Sequence, residues 1–266
     1  MVEIVKFDTK MNIAALWALA KREILDFWRN KARVISVFAQ SIMFLLIFSM
    51  GFAFISIRIN GISIDSRAFI ASGIIAIMIL FTGLFGGLGL MRDKMFGFMK
   101  EMIVSPVSRR TLMVGRTLGI SLQCVFQTLI ILTISIILGF FGFDISLIWR
   151  ALLIIPVALL VSIGIVGLGL TISTRMRDFH SFGLVQTFIV MPMFWLSGAM
   201  FAFNNVPLAM QIAMMINPYT YSVDLFRLVL IGVSFFPIWL DLLAVSLFGI
   251  ILLFVGGKSF NKMELS

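Results

Sequence analysis

Six stretches, near residues 34–57, 68–90, 117–143, 151–173, 182–201 and 238–257, carry no Asp, Glu, Lys, Arg or His near their middles. A helix rises about 1.5 Å per residue and the bilayer hydrocarbon is about 30 Å thick, so each crossing needs roughly 20 such residues. The one residue of these five types inside the limits, Asp241, stands at the start of the last stretch. A chain of 266 residues that is 61% hydrophobic and only 12% charged, with mean hydropathy +1.12, lies outside the range of soluble domains. The pattern predicts an all-α, polytopic membrane protein with six transmembrane helices in one domain over 34–257, preceded by residues 1–33 and followed by a tail at 258–266. The first run is expected to act as a signal anchor rather than a cleaved leader, because it is long enough to span and follows about 33 mixed residues.

Lys and Arg are distributed unevenly between the connections. Assigned alternately to the two sides, seventeen fall with the termini and the 91–116 loop and four on the opposite side. The positive-inside tendency then predicts cytoplasmic termini and a cytoplasmic 91–116 loop, in a multi-pass cell-membrane protein. The same asymmetry accounts for the net charge of +9. Nucleic acid is not indicated, since the aromatic residues lie in apolar runs rather than among the basic ones.

Ahead of the first span, "MNIAALWALAKREILDFWRN" places Ile13, Trp17, Ile24 and Trp28 at helical spacing, with Lys21, Arg22 and Asp26 turned elsewhere. This predicts an amphipathic helix in the cytoplasmic membrane interface, in contact with lipid. Before the last span, "FAFNNVPLAMQIAMMINPYTYSVDLFRLVLIGVSFFP" is apolar but cut by Asn, Pro and Gly into runs too short to cross. Re-entrant helices on the outer side are expected, with Asp224 and Arg227, at i and i+3, available to pair.

Signals for catalysis are sparse. "GGKS" at 256–259 has Leu252 where a phosphate-binding loop needs glycine, and it follows an apolar span. The chain has one histidine, His180, one cysteine, Cys124, and no cluster at metal-ligand spacing. A non-catalytic membrane subunit without cofactor or metal is expected. Gln40, Gln123, Gln127 and Gln186 offer polar contacts between helices, and Gly83 and Gly87 offer close helix approach. With no ionisable group at mid-span, energy for transport is expected from a partner.

The basic loop "MRDKMFGFMKEMIVSPVSRRTLMVGRT" combines three devices. Met95, Phe98 and Met102, and Phe96, Met99 and Ile103, recur at helical spacing beside Arg92, Lys100 and Glu101, predicting a short amphipathic helix. Ser105 before Pro106 is biased out of helix, forming an elbow, and Ser108 is placed to cap the helix that enters the third span. Such a rigid element suits docking of a soluble partner; a basic stretch that only sets topology or touches anionic lipid is the other reading.

The loop resembles the cytoplasmic coupling region of type-2 ABC transporter permeases, especially daunorubicin-resistance-like exporters. The resemblance rests on Arg92, Asp93, Gly97, "SPVSR" from Ser105 to Arg109, and Gly115 with Arg116. "NPYTYSVDLFR", with Asn217, Pro218, Tyr221, Asp224 and Arg227, is similar to the family's element before its last span. One departure is Phe96, where members often have glutamate or arginine before the glycine; here Lys100 and Glu101 follow. The resemblance implies the permease subunit of an ATP-driven exporter, paired with a second permease subunit. Separate ATPase subunits would hold ATP and magnesium and contact Arg92, Asp93, Gly97, Lys100, Glu101, Pro106, Arg109 and Arg110. It implies a hydrophobic or amphipathic, drug- or lipid-like substrate, with polysaccharide or lipid-linked glycan export as the alternative. A structural or assembly subunit, or a secondary carrier, is the reading from a different class.

Overall fold

The computed structural model describes residues 9–52, 57–59, 62–98, 107–142, 146–176 and 178–261. Helix α1 (Thr9–Arg29) turns at Asn30 into α2 (Lys31–Gly51), the Asn30 side chain accepting the Arg33 amide at 3.1 Å. A small antiparallel ribbon of β1 (Ile57–Ile59) and β2 (Ile62–Ile64) leads to α3 (Ser66–Met95). Then come α4 (Arg109–Ile137) and α5 (Ser146–Arg175). The short α6 (Phe179–Val185) runs through a π turn at Gln186–Val190 into α7 (Met191–Trp195). Finally α8 (Leu208–Ile216) and α9 (Pro218–Ile231) precede α10 (Ile238–Asn261). The described residues are helical apart from the ribbon and connecting turns, as an apolar chain in lipid must be to satisfy its backbone internally.

Among the described residues, five helices are long and apolar enough to cross a bilayer: α2, α3, α4, α5 and α10. The fifth crossing expected at 182–201 instead falls on the composite helix Phe179–Trp195. Seventeen residues span only about 25 Å of helix. Pro192 supplies no N–H to the preceding turn, and the chain widens to π geometry just before it. Other ends shift from expectation for local reasons. The first span stops at Gly51 rather than 57, because Ile57 enters the ribbon. Helix α4 begins at Arg109, ahead of the apolar stretch at 117, with the Ser108 hydroxyl accepting the Thr111 amide at 3.1 Å, as its capping position predicted.

Helix α3 is the axis of the bundle. Every residue from 68 to 84 is buried, and α3 packs against α2, α4, α5 and α9. By contrast α2 buries only Ser41, Leu45 and Ser49, one side chain per turn. The glycines explain the closest approach. A Cβ on Gly87 would lie 2.4 Å from the Gly169 carbonyl oxygen, and one on Gly83 2.9 Å from Ile165, so α3 meets α5 through the expected pair. Gly89, two residues on, faces open space.

Gly87→Ala is therefore expected to force α3 and α5 apart and cost about 1–3 kcal/mol. Gly89→Ala should be neutral or slightly stabilising. Thermal unfolding of the detergent-solubilised protein reads both; equal melting temperatures for the two variants would contradict the α3–α5 contact.

Candidate functional site

The last turn of α3 carries Arg92, Asp93 and Lys94 beyond the apolar stretch, in continuous helix. The amphipathic helix expected from Met91 onward therefore does not begin there: α3 continues to Met95 and breaks at Gly97, whose φ is +81°. A left-handed residue at a helix end favours glycine, which has no Cβ to clash. The expected helix beyond Phe98, with Lys100 and Glu101, and the Ser105–Pro106 elbow lie outside the described residues.

The three charges at the end of α3 have different partners. Asp93 is buried and accepts from Arg116 of α4 at 2.5 Å and from Arg22 of α1 at 3.4 Å. Arg116, itself only 2% exposed, also donates through Nε to Glu23 of α1 at 2.8 Å. Arg92 donates to Asp26 at 2.7 Å. Lys94 turns to the end of α5, donating to the carbonyls of Thr174 at 3.3 Å and Met176 at 3.2 Å. One buried guanidinium thus joins α1, α3 and α4, and its neighbours extend the connection to α5.

Small residues let α1 come this close. A Cβ on Gly119 would stand 2.7 Å from the Glu23 Cβ, and one on Gly115 3.0 Å from the Leu19 Cβ. Ala20, Glu23 and Phe27 form the buried face of α1, and Gln123 donates to the Glu23 carbonyl at 2.8 Å. Flanking this face, Ile13, Trp17 and Trp28 are exposed, with Trp28 edge-on to the Phe126 ring of α4 at 5.8 Å. The helix therefore packs on the protein by one face while its tryptophans remain on the surface.

A second polar assembly lies near the other end of α3; Phe69 and Asp93 are separated by about 36 Å along the helix. Here the backbone after α7 leaves helical geometry, with Gly198 at φ +71°. Carbonyls released from a helix in an apolar body need donors. Helix α9 supplies them: Asn217 Nδ2 donates to Met193 O at 2.9 Å and Thr220 Oγ1 to Leu196 O at 3.1 Å. Arg227 donates to Gly198 O at 2.6 Å and Ala199 O at 2.9 Å, its guanidinium 3.7 Å from the centre of the Phe69 ring. The Tyr219 hydroxyl donates to Ala76 O and ties α9 to α3. Asn217 caps α9 through the Tyr219 amide at 3.0 Å, with Pro218 in the first helical position.

The Asp224–Arg227 pair expected from their spacing does not form. Asp224 accepts from the amides of Phe235, at 2.8 Å, and Phe236, at 2.9 Å, while Arg227 is committed to carbonyls. Backbone groups buried without another partner compete better than an i,i+3 ion pair, which is worth a few tenths of a kcal/mol. Tyr221 donates to Met215 O at 2.8 Å and packs on Phe236.

Of the expected loop set, Arg92 and Asp93 take part in this ion-pair cluster. Arg109 reaches the Phe260 carbonyl at 3.5 Å, Arg110 is exposed, and Gly97 marks the helix break. Lys100, Glu101 and Pro106 lie outside the described residues. Sequence reasoning missed Glu23, Arg22 and Asp26 as members of this cluster. The signal for Glu23 was its place at helical spacing with Ala20 and Phe27 on a face of small and apolar residues.

The family described as ABC-2 type transporter matches residues 14–231. The putative transport permease ycf38 of Porphyra purpurea is 25% identical over 228 residues, covering 83% of this chain and 77% of its own. Nodulation protein J of Rhizobium leguminosarum bv. viciae is 24% identical over 229 residues, covering 84% and 83%. The inner membrane transport permease YadH of Escherichia coli (strain K12) is 26% identical over 157 residues, covering 59% and 57%.

Arg116→Met should destabilise the protein by about 3–5 kcal/mol, because it leaves Glu23 and part of Asp93 buried without their cation. Adding Glu23→Gln and Asp93→Asn should recover much of that loss. Unfolding of the single and triple variants decides this, and a single variant close to wild type would refute the cluster. At the other assembly, Arg227→Met should cost more than Asp224→Asn, since it strands two buried carbonyls. The same unfolding measurement ranks them.

Proposed function

The chain belongs to the ABC-2 type transporter family and is a membrane permease component of an ABC transporter; we propose that it is the permease subunit of an ATP-driven exporter in the cell membrane, of the daunorubicin-resistance-like branch. Two permease subunits form the path, and separate ATPase subunits hold ATP and magnesium. Both termini and the 91–116 loop face the cytoplasm. Helix α1 lies in the cytoplasmic interface, with Trp17 and Trp28 at headgroup level.

The observation that supports coupling at this loop is the Arg116 cluster. The loop leaves α3 next to Asp93 and enters α4 a short distance before Arg116. A push on it is therefore delivered to helices already clamped together, and to α1 with them. An ion-paired, desolvated junction moves as a unit because separating its charges in an apolar surround is costly. ATPase closure shifts α3 and α4 against the rest of the bundle and exposes a path for a hydrophobic or amphipathic molecule.

Arg110 is the exposed cation of the expected docking set on the described side of the loop. Arg110→Glu is expected to abolish both co-purification of the ATPase and transport, leaving the melting temperature of the permease unchanged. Arg67→Glu, altering an exposed pair with Asp65 on the other side of the membrane, should leave co-purification intact. Undiminished ATPase binding and transport in Arg110→Glu would defeat the docking assignment.

A further inference from the structure

Helix α2 touches the bundle through a short seam. Its first buried residue is Ser41, and none of residues 31–40 is buried. The seam is fixed by a buried polar chain in which Thr82 Oγ1 donates to Gln127 Oε1 at 2.6 Å and Gln127 Nε2 donates to Ser41 Oγ at 2.8 Å. Toward the N-terminus of α2 a narrow cleft lies between it and α3. Arg33, Val37 and Gln40 line one wall; Phe81, Phe85 and Thr82 line the other, with Gln127 between them. The cleft is polar at its floor, aromatic along one side and carries a guanidinium on its α2 wall.

That guanidinium differs from its neighbours in its partners. Among the described residues around the junction of α1, α2, α3 and α4, the acids Glu23, Asp26 and Asp93 stand among Arg22, Arg33, Arg92 and Arg116. Glu23 and Asp26, the acids that act on Arg33 through space, are paired with Arg116 at 2.8 Å and Arg92 at 2.7 Å. Asp93 is shared by Arg116 and Arg22. Arg33 is half-buried, forms no ion pair among the described residues and has the Phe27 ring 5.5 Å away. A half-buried cation is favoured when an anion completes its coordination, and guanidinium matches phosphate in a bidentate fashion.

We infer that the α2–α3 cleft binds an anionic amphiphile, with a phosphate-type headgroup on Arg33 and hydrocarbon along Val37, Phe81 and Phe85. Charge complementarity selects the headgroup, and the narrow aromatic wall selects a chain over a bulky ring system. The inference rests on the chain being a membrane permease, but on neither ATPase coupling nor export.

The test uses the full chain purified into phosphatidylcholine nanodiscs with increasing phosphatidylglycerol, and native mass spectrometry to count retained lipid and obtain its affinity. Arg33→Gln is expected to weaken the tightest phosphatidylglycerol site about tenfold, the loss expected for one charge-assisted hydrogen-bonded contact. Arg33→Lys should recover part of it, and phosphatidylcholine retention should not change. Val37→Trp, which fills the cleft and keeps the charge, should weaken the same site. Arg29→Gln, a change of an exposed arginine at the end of α1, should have a smaller effect than Arg33→Gln. Equal effects of the two arginine changes, or no effect of Val37→Trp, would overturn the site in favour of general surface attraction. Displacement of the lipid by millimolar inorganic phosphate would overturn it in favour of a soluble anion. Because no ATPase and no transport enter the measurement, failure of the exporter reading would leave this result readable, and the reverse.

Discussion

A buried polar group in an apolar body must find a partner within the protein, because no surrounding water supplies one. Arg116 is the strongest case. Its guanidinium is desolvated and would be expensive to bury alone, yet Glu23 and Asp93 lie on two other helices and are buried with it. The requirement thus becomes a positional one: α1, α3 and α4 meet where their charges cancel. The same demand, now made by backbone carbonyls, determines the other end of the bundle, where Asn217 at the cap of α9, and Thr220 and Arg227 within it, answer four oxygens at and beyond the end of α7. One rule therefore accounts for both assemblies, although one is ionic and the other is not.

Between these assemblies α3 is a beam with little freedom to deform. It is enclosed from 68 to 84 and drawn onto α5 by facing glycines, and Tyr219 ties its early turns to α9. The helices at the periphery are attached differently. Helix α2 is held by the Ser41–Gln127–Thr82 chain and one apolar stripe, leaving much of its surface outward. A dense core bordered by lightly attached helices is an arrangement in which relative movement is cheapest at the border.

Much of this was legible in the sequence, and the exceptions have physical causes. Five crossings, the Ser108 cap and the Gly83–Gly87 approach follow from hydropathy, side-chain chemistry and spacing, all local properties. Gln123 and Gln127 also serve as polar links between helices, as their isolation in apolar runs suggested. The composite fifth helix was not read because hydropathy alone does not register a π turn ahead of Pro192. Glu23 was overlooked because the tryptophans of α1 define its more conspicuous apolar face, and a glutamate beside basic residues reads as solvated until Arg116 is placed across from it. For Asp224 and Arg227 the spacing was compatible with pairing, but it carried no information about stranded carbonyls elsewhere in the chain. Long-range partners decide such cases, and a single sequence does not display them.

The seating of α1 has a consequence for biogenesis. Glu23 precedes Arg116 by 93 positions, and Asp93 lies between them. During synthesis the first helix must therefore exist for some time before its counter-charge emerges. In the meantime the acid that later becomes buried is still hydrated. Closure of the ionic junction is then a late assembly step, reporting that α3 and α4 have both been inserted in the correct sense. A chain in which one of the intervening helices failed to insert would leave Arg116 across the membrane from Glu23, so the junction that stabilises the finished fold also discriminates against that error.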